Sequence, residues 1–179
     1  ACLVGSEMCI RDRSWPAVEK KLGAIREFLV QSENGDTLIK ASSQWILIDA
    51  ARRRPIALRE NLPMYQVIGE RVIDTDFPKI SEPQKIDEAA EFFIRFDDID
   101  LNNHVNNAVY PLWASEAVGI DFRAAHTPAE IEIAFKKEGL YGEDIRVETE
   151  FDNLTTIHRI KATGDGRELA RVRICWIGI

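Results

Sequence analysis

NAVYPLWASEAVG, residues 107–119, is the stretch on which the fold turns. Val109, Leu112, Trp113, Ala117 and Val118 recur at helical spacing, so the segment predicts a helix. Asn106 or Asn107 can cap its start and Gly119 can end it. Pro111 falls in or just past the first turn, where a missing N–H costs least. Downstream the pattern changes to strands at 129–137, 144–152, 155–163 and 168–177. Gly139, Tyr141-Gly142, Asp152-Asn153 and Gly164-Asp165-Gly166 separate them. Upstream, 86–99 reads as one further strand.

The remaining chain is also mostly strands. Residues 24–30 and 38–48 flank Glu33-Asn34-Gly35-Asp36, whose Asn-Gly core marks a hairpin turn. Residues 52–83 are charged and carry Pro55, Pro63, Pro78 and Pro83. They read as a linker with one short helix near 62–69. Residues 3–13, LVGSEMCIRDR, resemble the conceptual translation of a transposon mosaic-end adapter used in sequencing libraries. They show no hydrophobic period, so residues 1–13 are set aside as non-native.

The chain has 179 residues and a net charge of −7, which disfavours nucleic acid as a general partner. No run approaches the roughly 20 apolar residues of a membrane span. Cys2, Cys9 and Cys175 are too few and scattered for a disulfide framework or zinc knuckle. With no secretory signal, a reducing cytoplasm is the simplest compartment.

Two segments match without a gap. GDTLIKASSQWI at 35–46 aligns with GRELARVRICWI at 166–177, pairing Gly35 with Gly166 and Trp45 with Trp176 at an offset of 131 residues. The reading is one unit used twice. The second copy, 86–179, carries a strand, one helix and a run of antiparallel strands. That is the order of an α+β hotdog fold, a curved sheet wrapped around a central helix. In the same register the first copy has strands only, at 14–55, and is N-terminally truncated; residues 56–85 link the two.

DDIDLNNHVNNAVY, 97–110, precedes and enters the predicted helix. Asp100, Asn102 and His104 lie two apart, so in extended chain they point to one side. A helix start behind them offers free N–H groups to a developing oxyanion. The bland alternative is a long turn with a satisfied histidine. A metal site is weaker, with one local histidine and no ligand spacing; Asp97, Asp98 and Asp100 do not follow a calcium-loop order. His126 reads as a surface loop residue and His158 as the exposed face of a strand. Trp45 and Trp176 read as core anchors.

The same residues resemble the acyl-acyl carrier protein thioesterases, a tandem double-hotdog family of plants and bacteria. Asp100-Leu-Asn102-Asn-His104-Val-Asn106-Asn107, with Tyr110, Trp113 and Glu116, is similar to that family's signature and helix. Phe135-Lys136-Lys137-Glu138 is similar to its aromatic-basic-basic-Glu segment. In the other half, Ala24–Phe28, Ser42–Asp49 and Arg53-Arg54-Pro55 resemble its first-domain strands. The likeness spans about 14–179.

The resemblance implies catalytic Asp100, Asn102, His104 and Glu138 and hydrolysis of fatty acyl-acyl carrier protein to free fatty acid. In that scheme Glu138 acts as base on water or attacks the thioester. Asn102 and His104 orient and polarise, Asp100 fixes one of them, and N–H groups at Asn106–Ala108 bind the oxyanion. It implies no cofactor and no metal. The partner is an acyl carrier protein bearing its fatty acyl chain, met by Arg52–Arg54, Lys136 and Lys137; a homodimer is left open. The family's acid is often followed by cysteine, and here that position is Gly139. The rival readings are a hotdog acyl-CoA thioesterase and a non-catalytic acyl-binding hotdog protein.

Overall fold

The computed structural model describes residues 11–179. They form two units that divide between Pro78 and Lys79. The first holds β1 (Arg11–Lys20), β2 (Gly23–Gln31), β3 (Thr37–Ile46), the two-residue strands β4 (Ile48–Asp49) and β5 (Arg54–Pro55), and helix α1 (Leu58–Asn61). Its sheet is antiparallel in the order β1-β2-β3. The predicted turn joins β2 to β3, with Gly35 at φ 89° and its N–H donating to the Ser32 carbonyl at 3.0 Å.

Strand β1 is absent from the sequence reading. Residues 1–10 of the segment set aside lie outside the described residues, but Arg11–Arg13 pair with Leu29–Gln31. The helix near 62–69 is not formed; α1 ends before it. Pro63 keeps Leu62 out of helical backbone, at φ −132° and ψ 67°, and Gly69 sits at φ 85°. Residues 56–78 are also no free linker. Ile68 and Gly69 donate to the Pro16 and Ala17 carbonyls at 2.9 and 3.1 Å, and Trp15 Nε1 donates to the Glu70 carbonyl. Arg71 reaches the fully buried Glu27 at 2.6 Å.

Trp45 is 58% exposed and is not a core anchor. Among the described residues strand β3 pairs with β2 on one side only, and Leu38, Ile39 and Ile46 are exposed with Trp45. The only helix among this unit's described residues, α1, is four residues long.

The second unit holds β6 (Glu88–Phe93), a 3-10 turn (Phe96–Asp98), α2 (Val109–Glu116), α3 (Ile120–Ala125), β7 (His126–Phe135), β8 (Asp144–Asp152), β9 (Thr155–Ala162) and β10 (Glu168–Gly178). The sheet order is β6-β8-β9-β10-β7, all antiparallel. This is the predicted hotdog order of strand, helix and strands. Helix α2 buries Tyr110, Trp113, Ala114 and Ala117, spaced three, four and seven residues along. They join Ile145, Val147, Ile160, Leu169, Val172 and Ile174 in one core. Leu112, expected in the stripe, faces solvent instead.

The strand predicted over 86–99 stops at Phe93. Asp98 accepts the Arg95 N–H at 2.8 Å and the Arg95 guanidinium at 3.0 Å, curling Phe96–Asp98 into the 3-10 turn. Residues 80–84 pack on this unit: Arg171 donates to the Ile80 carbonyl, and the Gln84 N–H to Glu150. Gly119, at φ 77°, redirects the chain from α2 into α3, an unpredicted helix. His126 opens β7 half-buried, its ring stacked on Phe122 with a centroid separation of 4.2 Å.

His158 is fully buried, against the sequence reading. The core face of β9 carries Thr156, His158, Ile160 and Ala162; Ile157, Arg159 and Lys161 take the outer face. Its Nδ1 lies 2.9 Å from Thr149 Oγ1 and its Nε2 2.7 Å from Thr156 Oγ1, which also accepts the Trp176 indole N–H. Burial pushes the imidazole down to about 3. The unfolded chain therefore binds the extra proton first, and stability falls with pH from about 6.5 toward 3. Between pH 7 and 5 this one group is expected to remove about 2 kcal/mol. Urea unfolding of wild type and His158→Gln at both pH values checks it. The variant should lose less stability on acidification, and equal losses would contradict the assignment.

Candidate functional site

The site lies where the lead-in to α2 meets the exit of β7. Asp100–His104 is a closed turn, not the extended segment that the spacing suggested. An isolated antiparallel bridge pairs Ile99 with Val105, and the Asp100 N–H donates to the His104 carbonyl at 2.8 Å. Asn103 takes φ 63°, and its N–H returns to the Asp100 carbonyl. The Asp100 carboxylate organises the loop: Oδ1 accepts the N–H groups of Asn102 at 2.8 Å and His104 at 3.4 Å, and Oδ2 accepts Asn102 Nδ2 at 3.3 Å. The Asn102 backbone bond, then the side-chain bond, hold Asp100 below the usual carboxylate range. Asn103, between two candidate residues, supplies the left-handed position that asparagine tolerates.

Asp98 anchors the base of the loop. Burial raises its pKa, but the Arg95 side-chain and backbone bonds outweigh that and leave it lowered. Its carbonyl accepts the Asn106 N–H at 2.8 Å. Asn106 then caps the approach to α2 two residues early, its Oδ1 accepting the Ala108 N–H at 3.0 Å. This corrects the predicted oxyanion donors: the Asn106 and Ala108 N–H groups are both engaged, leaving that of Asn107.

The second segment arrives after β7. The N–H groups of Lys136 and Lys137 both donate to the Leu169 carbonyl, at 2.8 and 3.2 Å. The Glu138 carbonyl accepts Arg167 Nη2 at 3.3 Å, and Arg167 is itself fixed by Glu143 and Asp165. The Gly139 carbonyl accepts the Val105 N–H at 3.0 Å, binding the two segments main chain to main chain. A side chain at 139 has no room: an added Cβ would lie 2.9 Å from Val105 Cγ2 and 3.1 Å from Ile94 Cδ1.

Across this junction His104 Nε2 stands 3.3 Å from Glu138 Oε2. The four candidate residues thus form two pairs, Asp100 with Asn102 and His104 with Glu138. His104 is 34% and Glu138 47% exposed at the side chain, so water reaches both. Arg167 carries no signal in the sequence that sets it apart from other charged residues, and Asp98, which is buried, reads there only as part of an acidic run without calcium-loop order. Lys136 and Lys137 are exposed and make no ion pair among the described residues. No group of three or more His, Cys, Asp and Glu residues among the described residues is placed to hold a metal ion. A depression of about 370 Å³ lies at the far end of α2, lined by Glu88, Gly119, Ile120, Phe122 and Phe151, with none of the four candidates on its wall. No helix among the described residues is long and apolar enough to cross a membrane.

Fold and site define a tandem hotdog protein with an imidazole–carboxylate pair at the helix lead-in of its second unit. The chain belongs to the acyl-ACP thioesterase family: residues 81–178 match the family described as acyl-ACP thioesterase C-terminal domain, and residues 5–64 match its N-terminal domain. The chloroplastic palmitoyl-acyl carrier protein thioesterase of Arabidopsis thaliana is 26% identical over 186 residues, covering 91% of this chain and 44% of that protein. The chloroplastic oleoyl-acyl carrier protein thioesterase 1 of the same plant is 21% identical, covering 91% and 53%. The chain thus spans about half the length of these curated relatives. In fold it is similar to the 12:0-ACP thioesterase of Umbellularia californica, with a TM-score of 0.82, 21% identity and coverage of 95% and 68%. The acyl-ACP thioesterase of Bacteroides thetaiotaomicron gives 0.80, 20%, 94% and 68%.

Proposed function

We propose that this chain is part of an enzyme that hydrolyses fatty acyl-acyl carrier protein thioesters, releasing free fatty acid and carrier protein in fatty acid synthesis. The carrying observation is the 3.3 Å approach of His104 Nε2 to Glu138 Oε2 on two segments tied by the Val105–Gly139 hydrogen bond. A carboxylate beside an imidazole is a general-base pair for water. Glu138 takes the proton as the water oxygen bonds to the thioester carbonyl carbon. The C–S bond then breaks, and the thiolate leaves with a proton delivered through His104. Asp100 holds the turn that presents His104, and its bond to Nδ2 orients the Asn102 amide toward the substrate carbonyl. The Asn107 N–H is the remaining backbone donor for the oxyanion. Gly139 supports water rather than a thiol as the nucleophile at this position.

Lys136 and Lys137, exposed, without an ion pair among the described residues and next to Glu138, are the docking point for an acidic carrier. Charge at this rim sets encounter more than chemistry. The reducing cytoplasm belongs to the same reading.

The test is hydrolysis by the purified chain of acyl-acyl carrier protein and of the same acyl group on coenzyme A. The carrier thioester should be preferred, and His104→Ala and Glu138→Gln should each lower kcat by about 100-fold or more. Near wild-type rates in both variants would overturn the site, and preference for the coenzyme A ester would favour the acyl-CoA reading. Lys136→Glu with Lys137→Glu should raise KM severalfold for the carrier thioester alone, and less at high salt; an equal effect on both esters would refute docking at the lysines.

A further inference from the structure

We propose that Arg167 and Glu143 form a clamp that positions Glu138. The guanidinium holds the main chain on one side of Gly139, the carboxylate holds it on the other, and the ion pair between them closes the clamp. Both are positioning residues, and the proposal rests on the functional reading of Glu138 and His104.

Glu138 needs such a hold. Strand β7 ends at Phe135, so Glu138 lies beyond the sheet ladder, in a turn where Lys136, Lys137, Leu140 and Tyr141 are all exposed. The next position has no room for a Cβ, and glycine is the residue whose backbone turns most freely. A carboxylate placed before it swings unless the neighbouring peptides are pinned. Both are. Arg167 Nη2 donates to the Glu138 carbonyl at 3.3 Å, which fixes the peptide entering Gly139. The peptide leaving Gly139 is held at both ends: its carbonyl accepts the Val105 N–H, and its Leu140 N–H donates to Glu143 Oε2 at 2.9 Å.

The two jaws are rooted in the sheet. Glu143 and Arg167 each stand one residue ahead of a strand, β8 and β10. The Glu143 carbonyl accepts the N–H of fully buried Ile94 at 2.9 Å. The Arg167 carbonyl accepts the Ala162 N–H at 3.0 Å across the β9–β10 hairpin. Between the jaws, Arg167 Nη2 meets Glu143 Oε1 and Oε2 at 2.6 and 2.5 Å. Their side chains are 26% and 25% exposed, so water competes less than at an open surface pair. Asp165 braces Arg167 from the hairpin side: Oδ1 accepts its N–H and Oδ2 its Nη1. Tying down the hairpin would need that local bond alone. The bonds to Glu143 and to the Glu138 carbonyl instead reach back 24 and 29 residues.

Arg167→Met and Glu143→Met each open the clamp from one side. With acyl-acyl carrier protein as substrate, each is expected to lower kcat about tenfold and to change KM by less than about twofold, because a misplaced base impairs the chemical step and not binding. Asp165→Asn removes charge from the hairpin side only and should keep kcat within about twofold of wild type. A loss there as large as in Arg167→Met would refute the clamp. Amide exchange followed by NMR in the Arg167→Met chain should quicken about tenfold at Leu140 and stay unchanged at Val147 and Ile160 in the sheet. Equal quickening at all three would reduce the pair to general stabilisation and overturn the positioning role. An unchanged kcat in Arg167→Met, with Glu138→Gln inactive in the same assay, would overturn it too and leave the functional reading intact. Full hydrolysis by Glu138→Gln would remove that reading and the clamp's role with it.

Discussion

The five-stranded sheet of the second unit has one apolar face, and helix α2 has to cover it. Tyr110, Trp113, Ala114 and Ala117 make the covering stripe, and Ala114 is wholly inaccessible. Two alanines among two large aromatics let the helix approach the sheet closely while the aromatics fill its flanks. Burying a large apolar side chain contributes about 1.5–3 kcal/mol, so the many that meet here fix the helix firmly. Everything at the site follows from that placement. The helix fixes the Asn106–Ala108 approach, the approach fixes the Asp98 and Asp100 turns, and those present His104 to the segment leaving β7.

The helix was legible because its apolar residues repeat with a helical period, and β8 because Gly142 and Asp152-Asn153 bound it on both sides. What was lost has physical causes. Asp100, Asn102 and His104 alternate as in a strand, yet the Asp100 carboxylate bonds backbone two and four residues on and closes a turn. His158 sits between Ile157 and Arg159, and either alternate set could face the core; of the threonines that satisfy its ring, Thr156 shares its face of β9 but Thr149 lies on β8, out of reach of any local pattern. The contact of Glu138 with His104 spans 34 residues and depends on β7 running alongside β10. No local period encodes it, so Glu138 came from family resemblance alone. The backbone bond between Val105 and Gly139, which makes the contact possible, has no side-chain signature beyond a glycine.

The internal repeat shows how context decides a residue's fate. At the offset of 131 residues, Glu27 of β2 corresponds to His158 of β9, and both are fully buried. Each is a polar group inside a sheet, and each is satisfied differently. Glu27 accepts from Ser42 and Arg71; His158 lies between two threonine hydroxyls. The repeated tryptophans diverge further. Trp176 is 2% exposed, edge-on to Phe122 of α3 and beneath the Arg123 guanidinium, whereas Trp45 lies open on β3. A sequence repeat therefore transmits strand and turn, while burial depends on which helix lies over each sheet.

In the proposed mechanism His104 and Glu138 act as one chemical unit, held together by the main chain behind them. Residues that act as a unit show non-additive losses, since removing the first partner already abolishes the shared step. The most direct measurement is hydrolysis of acyl-acyl carrier protein by His104→Ala, by Glu138→Gln and by the chain carrying both. The doubly substituted chain is predicted to be no slower than the slower single variant, within about threefold. A double loss equal to the product of the two single losses would contradict the pair.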